Sequence, residues 1–143
     1  MAWKQGDYAN VRNQIQPSDV IAFSGKGSVS EVIKQATRST VSHVGVILEP
    51  QLLIEGGPQE ESSLQIMEST PRGVRIRQLS DLIKSYSGKM WWLPLSDAVR
   101  EKMDLRKFHY FLLSQEHKPY DVPQAIKSAL DALDDDLRLV VQR

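Results

Sequence analysis

The run Val41-Ser42-His43-Val44-Gly45-Val46-Ile47-Leu48 constrains the fold of this chain more than any other feature. β-Branched residues fit a pleated, half-buried surface, and Glu49-Pro50 closes the run, so it reads as a core strand. A strand needs partners, and several short runs can supply them. Val20-Ile21-Ala22-Phe23 follows the punctuation of Pro17-Ser18-Asp19 and reads as a buried strand. Leu52-Leu53-Ile54 is a second short candidate, ended by Gly56-Gly57-Pro58. Leu64-Gln65-Ile66-Met67-Glu68 and Gly73-Val74-Arg75-Ile76-Arg77 alternate at the strand period, and Lys89 to Leu95 carries Trp91 and Trp92.

Helical spacing marks the rest. Val29, Val32, Ile33 and Ala36 share one face of a helix over about Ser28 to Thr37. Leu79 to Tyr86 is a short helix. Ser96 to His117 reads as one helical stretch, and a last helix covers about Pro123 to Leu133, with Pro123 in its first turn. The order predicts an α+β fold: a mostly antiparallel sheet of four to six strands packed against helices, without a βαβ repeat.

The chain has 143 residues, which fits one domain over 1–143 with a core of its own. Eighteen basic residues balance eighteen acidic ones, so no net field recruits nucleic acid or anionic lipid. No transmembrane segment and no signal peptide are read, and a cytoplasmic setting is the default expectation. There is no cysteine, which rules out disulfides, thiolate metal sites and thiol catalysis by these residues.

Side-chain alternation isolates a candidate pair. His43, Gly45 and Ile47 share one strand face; Leu64, Ile66 and Glu68 share one face of a later strand. Antiparallel pairing would set the start of the first strand beside the end of the second, bringing the Glu68 carboxylate to the His43 imidazole. That is a base with its orienter, two-thirds of a nucleophile–base–acid set. Glu55 competes. A tight hairpin at Glu49-Pro50 brings it beside Val44, on the wrong face, whereas a one-residue bulge would reverse that.

These residues carry a family resemblance. Asp19-Val20-Ile21-Ala22-Phe23 resembles the "G-D-hydrophobic-hydrophobic-F" opening strand of NlpC-type papain-like enzymes, with Ser18 where glycine is usual. Ser42-His43-Val44-Gly45-Val46-Ile47-Leu48 resembles their "S-H-V-G-I" histidine strand. Met67-Glu68-Ser69-Thr70 before Gly73-Val74 resembles the "E-A-…-G-V" segment that supplies the third polar residue, and Pro119-Tyr120-Asp121 resembles the "P-Y-D" that precedes the last helices. The histidine-first order is that of the circularly permuted (YiiX-like) branch, related to the lecithin:retinol acyltransferase group.

The resemblance spans about Pro17 to Leu133 and implies a papain-like fold. It implies a thiol hydrolase or acyltransferase acting on a small peptide, amide or lipid acyl substrate, with no cofactor. His43 would be the general base and Glu68 its orienter, with Ser42 and Tyr120 lining the site. The branch places its cysteine last, in a "C-S-E-L" helix start. This chain ends in the unfinished apolar pattern Leu137-Arg138-Leu139-Val140-Val141, so the expectation is a domain lacking its C-terminal nucleophile segment. The alternative is an inactive binding or structural module on the same scaffold.

Other signals carry less. Ser24-Gly25-Lys26-Gly27-Ser28 lacks phosphate-loop spacing and reads as a turn, although backbone amides at that helix start could bind an anion. His109 and His117 lack the H-E-x-x-H arrangement, so surface histidines and no metal site are expected. Asp134-Asp135-Asp136 lacks the alternating ligands of a calcium loop. Of Trp91 and Trp92, one belongs in the core, and the other would wall a cleft or partner surface.

Overall fold

The computed structural model describes residues 8–48 and 64–121, together with 123, 124 and 127. A single helical turn, α1 (Tyr8–Val11), runs into a 3-10 turn at Arg12–Gln14. Then come β1 (Val20–Ser24), α2 (Ser28–Thr37) and β2 (His43–Ile47). β3 (Gln65–Thr70) and β4 (Gly73–Gln78) form a hairpin leading directly into α3 (Leu79–Ser85). β5 (Lys89–Leu93), α4 (Asp97–Lys102) and α5 (Leu105–Ser114) follow.

The five strands form one sheet in the order β4-β3-β2-β1-β5, and every neighbouring pair is antiparallel. The fold is α+β. The expected strand at Leu52–Ile54, the competing acid Glu55, most of the helix expected from Pro123 to Leu133 and the Asp134–Asp136 run lie outside the described residues.

Register explains why one sheet face is the core. Ile21 pairs with Gly45 and Trp92, and Phe23 with His43 and Met90. Facing residues point to the same side, so alternation places Ile21, Phe23, Ile47, Ile66, Met90 and Trp92 on one surface. Leu79, Leu82 and Ile83 of α3 close over it, with Ile15. Ile21, Phe23, Ile47, Ile66 and Leu79 are all fully excluded from solvent. Burying each of these side chains is worth on the order of 1.5–3 kcal/mol, which makes this cluster the main stabilising term.

Two expectations require correction. The stretch from Ser96 to His117 is not one helix: Met103 is extended (ψ 132°), and Asp104 starts α5 by accepting the Lys107 amide at 3.0 Å. A carboxylate at that position satisfies an amide that the helix start would otherwise leave open, so a second, capped helix starts here and two helices replace one long one. His109 is not a surface residue. It is 1% exposed, with Nε2 3.4 Å from the Ser18 hydroxyl, and its ring lies beside Phe108. His117 is exposed, but it sits in the turn beyond α5 with φ 65°.

Asp19 does more than punctuate. It is 1% exposed, and its two carboxylate oxygens accept from four donors: the amides of Gln16 and Leu95, the Trp92 indole and the Arg100 guanidinium. This one side chain ties the start of β1 to β5 and to α4. Ser18, just before it, has φ 72°, a left-handed conformation that favours glycine. The strain is held by Ser18 N–H donating to Ile47 O at 2.8 Å and Ile47 N–H donating to Asp19 O at 2.9 Å.

Candidate active site

The end of β1 and the start of β2 build a shelf. Phe23 faces His43 across the ladder, and their rings stack at 4.4 Å, within 2° of parallel. Tyr86, just after α3, stands edge-on to both, 5.2 Å from Phe23 and 6.4 Å from His43. The imidazole is therefore fixed by apolar contact on one face and an aromatic edge beside it. It keeps 28% of its side-chain surface in solvent.

Glu68 reaches this imidazole along a diagonal. Its register partner on β2 is Gly45, two residues from His43, and its partner on β4 is Arg75, two residues from Arg77. Diagonal same-face neighbours have Cβ atoms roughly 7 Å apart, a span that long side chains close. Glu68 Oε2 lies 3.3 Å from His43 Nε2, and Oε1 accepts from Arg77 Nη1 at 3.1 Å. The Glu68 side chain is only 2% exposed. A carboxylate so buried is stable only with charged or donor partners, and it has one on each side.

The imidazole nitrogens thus differ in task. With Nε2 directed at the carboxylate, Nε2–H is the donor in the neutral ring, and Nδ1 carries the lone pair. Ser42 Oγ lies 3.4 Å from Nδ1. Ser42 is buried, donates to Phe23 O at 3.1 Å and accepts from Gly25 N–H at 3.0 Å. Through these bonds Ser42 clips the β1–α2 turn to the histidine strand.

Tyr86 is the site residue that the sequence did not single out. Burial pushes its phenol above the ordinary tyrosine value; the Glu68 carboxylate pushes it the same way, and the Ser42 hydroxyl opposes them. The only sequence signal was its position at the end of a short helix. Gly88 is required beside it, since a Cβ there would overlap Ser24 O and stand 2.7 Å from the Tyr86 ring.

The structure does not bring Tyr120 to this shelf. His117 N–H and Lys118 O bond to Val74 along the outer edge of β4, and Pro119 packs at the Gly73 turn. β3 and β4 both stand between that edge and β2. No hydrogen bond or ring contact joins Tyr120 to His43 or Glu68 among the described residues.

A cavity of about 450 Å³ opens on the opposite face of the sheet and is not lined by His43 or Glu68; its walls include Ser24, Gly25, Lys34 and Trp91. Of the tryptophan pair, Trp92 is in the core, bonded to Asp19, and Trp91 walls this cavity. Among the described residues no group of three His, Asp or Glu is placed to hold a metal ion. No helix among them is long and apolar enough to cross a membrane.

Neither protein-family models nor curated proteins match this chain.

Proposed function

We propose that this chain supplies the acid–base half of a thiol hydrolase or acyltransferase resembling the permuted NlpC-type papain-like enzymes. The observation that carries the reading is the 3.3 Å contact of His43 Nε2 with the buried Glu68 carboxylate, which leaves Nδ1 as the working nitrogen. Ser18 supports it too: its φ of 72° falls where the resembled family has glycine. In such a site Nδ1 takes the proton of a thiol whose ordinary pKa is about 8.5, and the thiolate attacks an amide or ester carbonyl. The imidazolium returns that proton to the leaving amine or alcohol. Water, or an acceptor alcohol or amine, then releases the acyl group. Glu68 holds the ring in one tautomer and balances its transient charge, while Arg77 keeps the carboxylate in place.

The 143 residues contain no cysteine, so the thiolate of this reaction is not theirs. That absence favours a second reading, a binding or structural module that keeps the scaffold without the chemistry. The test uses the protein as its gene encodes it. Intact mass and sequencing establish whether a cysteine accompanies this chain, and an electrophilic peptide or acyl probe reports its reactivity. Labelling at a cysteine that is abolished by His43→Ala is the expected result. A protein with no cysteine, or labelling indifferent to His43, overturns the hydrolase reading in favour of the binding module.

A further inference from the structure

The cavity walled by Trp91 lies on the other side of the sheet from His43. Lys89 pairs with Ser24, and Trp91 pairs with Ala22. Their side chains therefore share the face opposite Phe23, Met90 and Trp92. The Ser24–Gly25 turn, α2 and the run-up to β2 complete the walls, which include Ser24, Lys26, Lys34, Ser39, Lys89 and Trp91.

The charge inside is unbalanced. Among the described residues Glu31 is the one carboxylate in the lining, and it is already paired with Lys34 at 2.7 Å; Lys34 Nζ also donates to Gly25 O at 2.9 Å. No carboxylate among the described residues pairs with Lys26 or Lys89. The lining therefore includes two lysines with no carboxylate partner among the described residues, together with Ser24, Ser39 and the flat apolar surface of Trp91. This chain has no net charge, so the excess is local and does not reflect a basic protein. An aromatic wall with a few convergent polar groups is the usual make-up of a small-molecule site.

We propose that this cavity binds a small anionic ligand, a carboxylate or phosphate carried on a flat apolar body that lies against Trp91. The site is independent of the acid–base reading at His43, so either can stand if the other fails. Lys26 and Lys89 take the anion, the neighbouring hydroxyls complete its hydrogen bonds, and Trp91 covers the apolar part.

The test titrates the 143-residue protein with phenyl phosphate, benzoate and neutral benzamide, following tryptophan emission and amide chemical shifts at Lys89 and Trp91. Saturable binding of at least one anion is expected, weakened by added salt, with benzamide giving none at the same concentrations. Tighter binding of phenyl phosphate identifies a phosphate ligand, and tighter binding of benzoate a carboxylate. Replacing both exposed lysines, Lys26→Gln with Lys89→Gln, weakens binding by about tenfold, as expected for two partly solvated charge contacts. Trp91→Phe removes the emission change but keeps the shifts at Lys89. Absence of saturable shifts with both anions, or equal binding by the double lysine variant, overturns the proposal.

Discussion

Replacing Asp19 tests the architecture most directly, because its carboxylate connects β1, β5 and α4. In Asp19→Ala four donors lose their acceptor at once: the Gln16 and Leu95 amides, the Trp92 indole N–H and one arm of Arg100. Trp92 is buried, and its N–H would be left without a partner; an orphaned buried donor costs about 1–3 kcal/mol. Removing one member of a buried ion pair costs about 3–5 kcal/mol in all, and that range already contains such orphaning. The low end applies if Arg100, whose side chain keeps 18% exposure, turns to water while still holding Pro17 O. With a urea slope of about 2 kcal/mol per molar, the unfolding midpoint should fall by roughly 1.5–2.5 M. Asp19→Asn keeps one acceptor oxygen and should fall between the two. Urea unfolding followed by far-ultraviolet circular dichroism measures all three proteins. A midpoint within about 0.5 M of the parent for Asp19→Ala, at unchanged slope, would refute the view that this carboxylate organises the sheet edge.

Gly73→Ala should destabilise by about 1–2 kcal/mol or more, since Gly73 has φ 100° and a Cβ there would stand 2.8 Å from Lys118 O; thermal unfolding checks it, and faster amide exchange at Val74 would show the 117–118 segment released. Tyr86→Phe should flatten the alkaline limb of the stability curve: a phenol raised above 10.0 in the folded state holds its proton where the unfolded chain has lost it, so stability drains away as pH rises above about 10, and urea unfolding at pH 9 and 11 reads the difference. If the thiol-dependent reading holds, Glu68→Gln in the cysteine-bearing protein should lower kcat by about 10²–10⁴ with a smaller change in KM, whereas Arg77→Gln should cost far less because His43 keeps its carboxylate.

The sheet and the His43–Glu68 pair were legible because alternation is local information. Counting residues along two strands fixes which side chains share a face before any partner is known. The sequence did not settle the exact register, and facing positions were the natural assumption; the pair meets on a diagonal because Gly45, not His43, stands opposite Glu68. Asp19 gave no hint of its role, since Trp92, Leu95 and Arg100 lie more than seventy positions away and no local pattern points to them. His109 was misplaced for the same reason: its partner, Ser18, is ninety-one residues distant. The break between α4 and α5 was present in the sequence as Asp104, a good capping residue lost inside an otherwise continuous helical pattern. Trp91 and Trp92 divided as adjacent strand residues must, one inward and one to the cavity, although nothing in the sequence said which.

The parallel stack of His43 on Phe23 has a consequence for proton traffic. The stack on a phenyl, with a tyrosine edge beside it, holds the ring with its Nε2 edge toward Glu68. One edge of the imidazole stays moored to an acid that is itself shut away from water. Any hydrogen ion this group gains or surrenders must therefore cross at the opposite edge, which makes the histidine a port with a single berth.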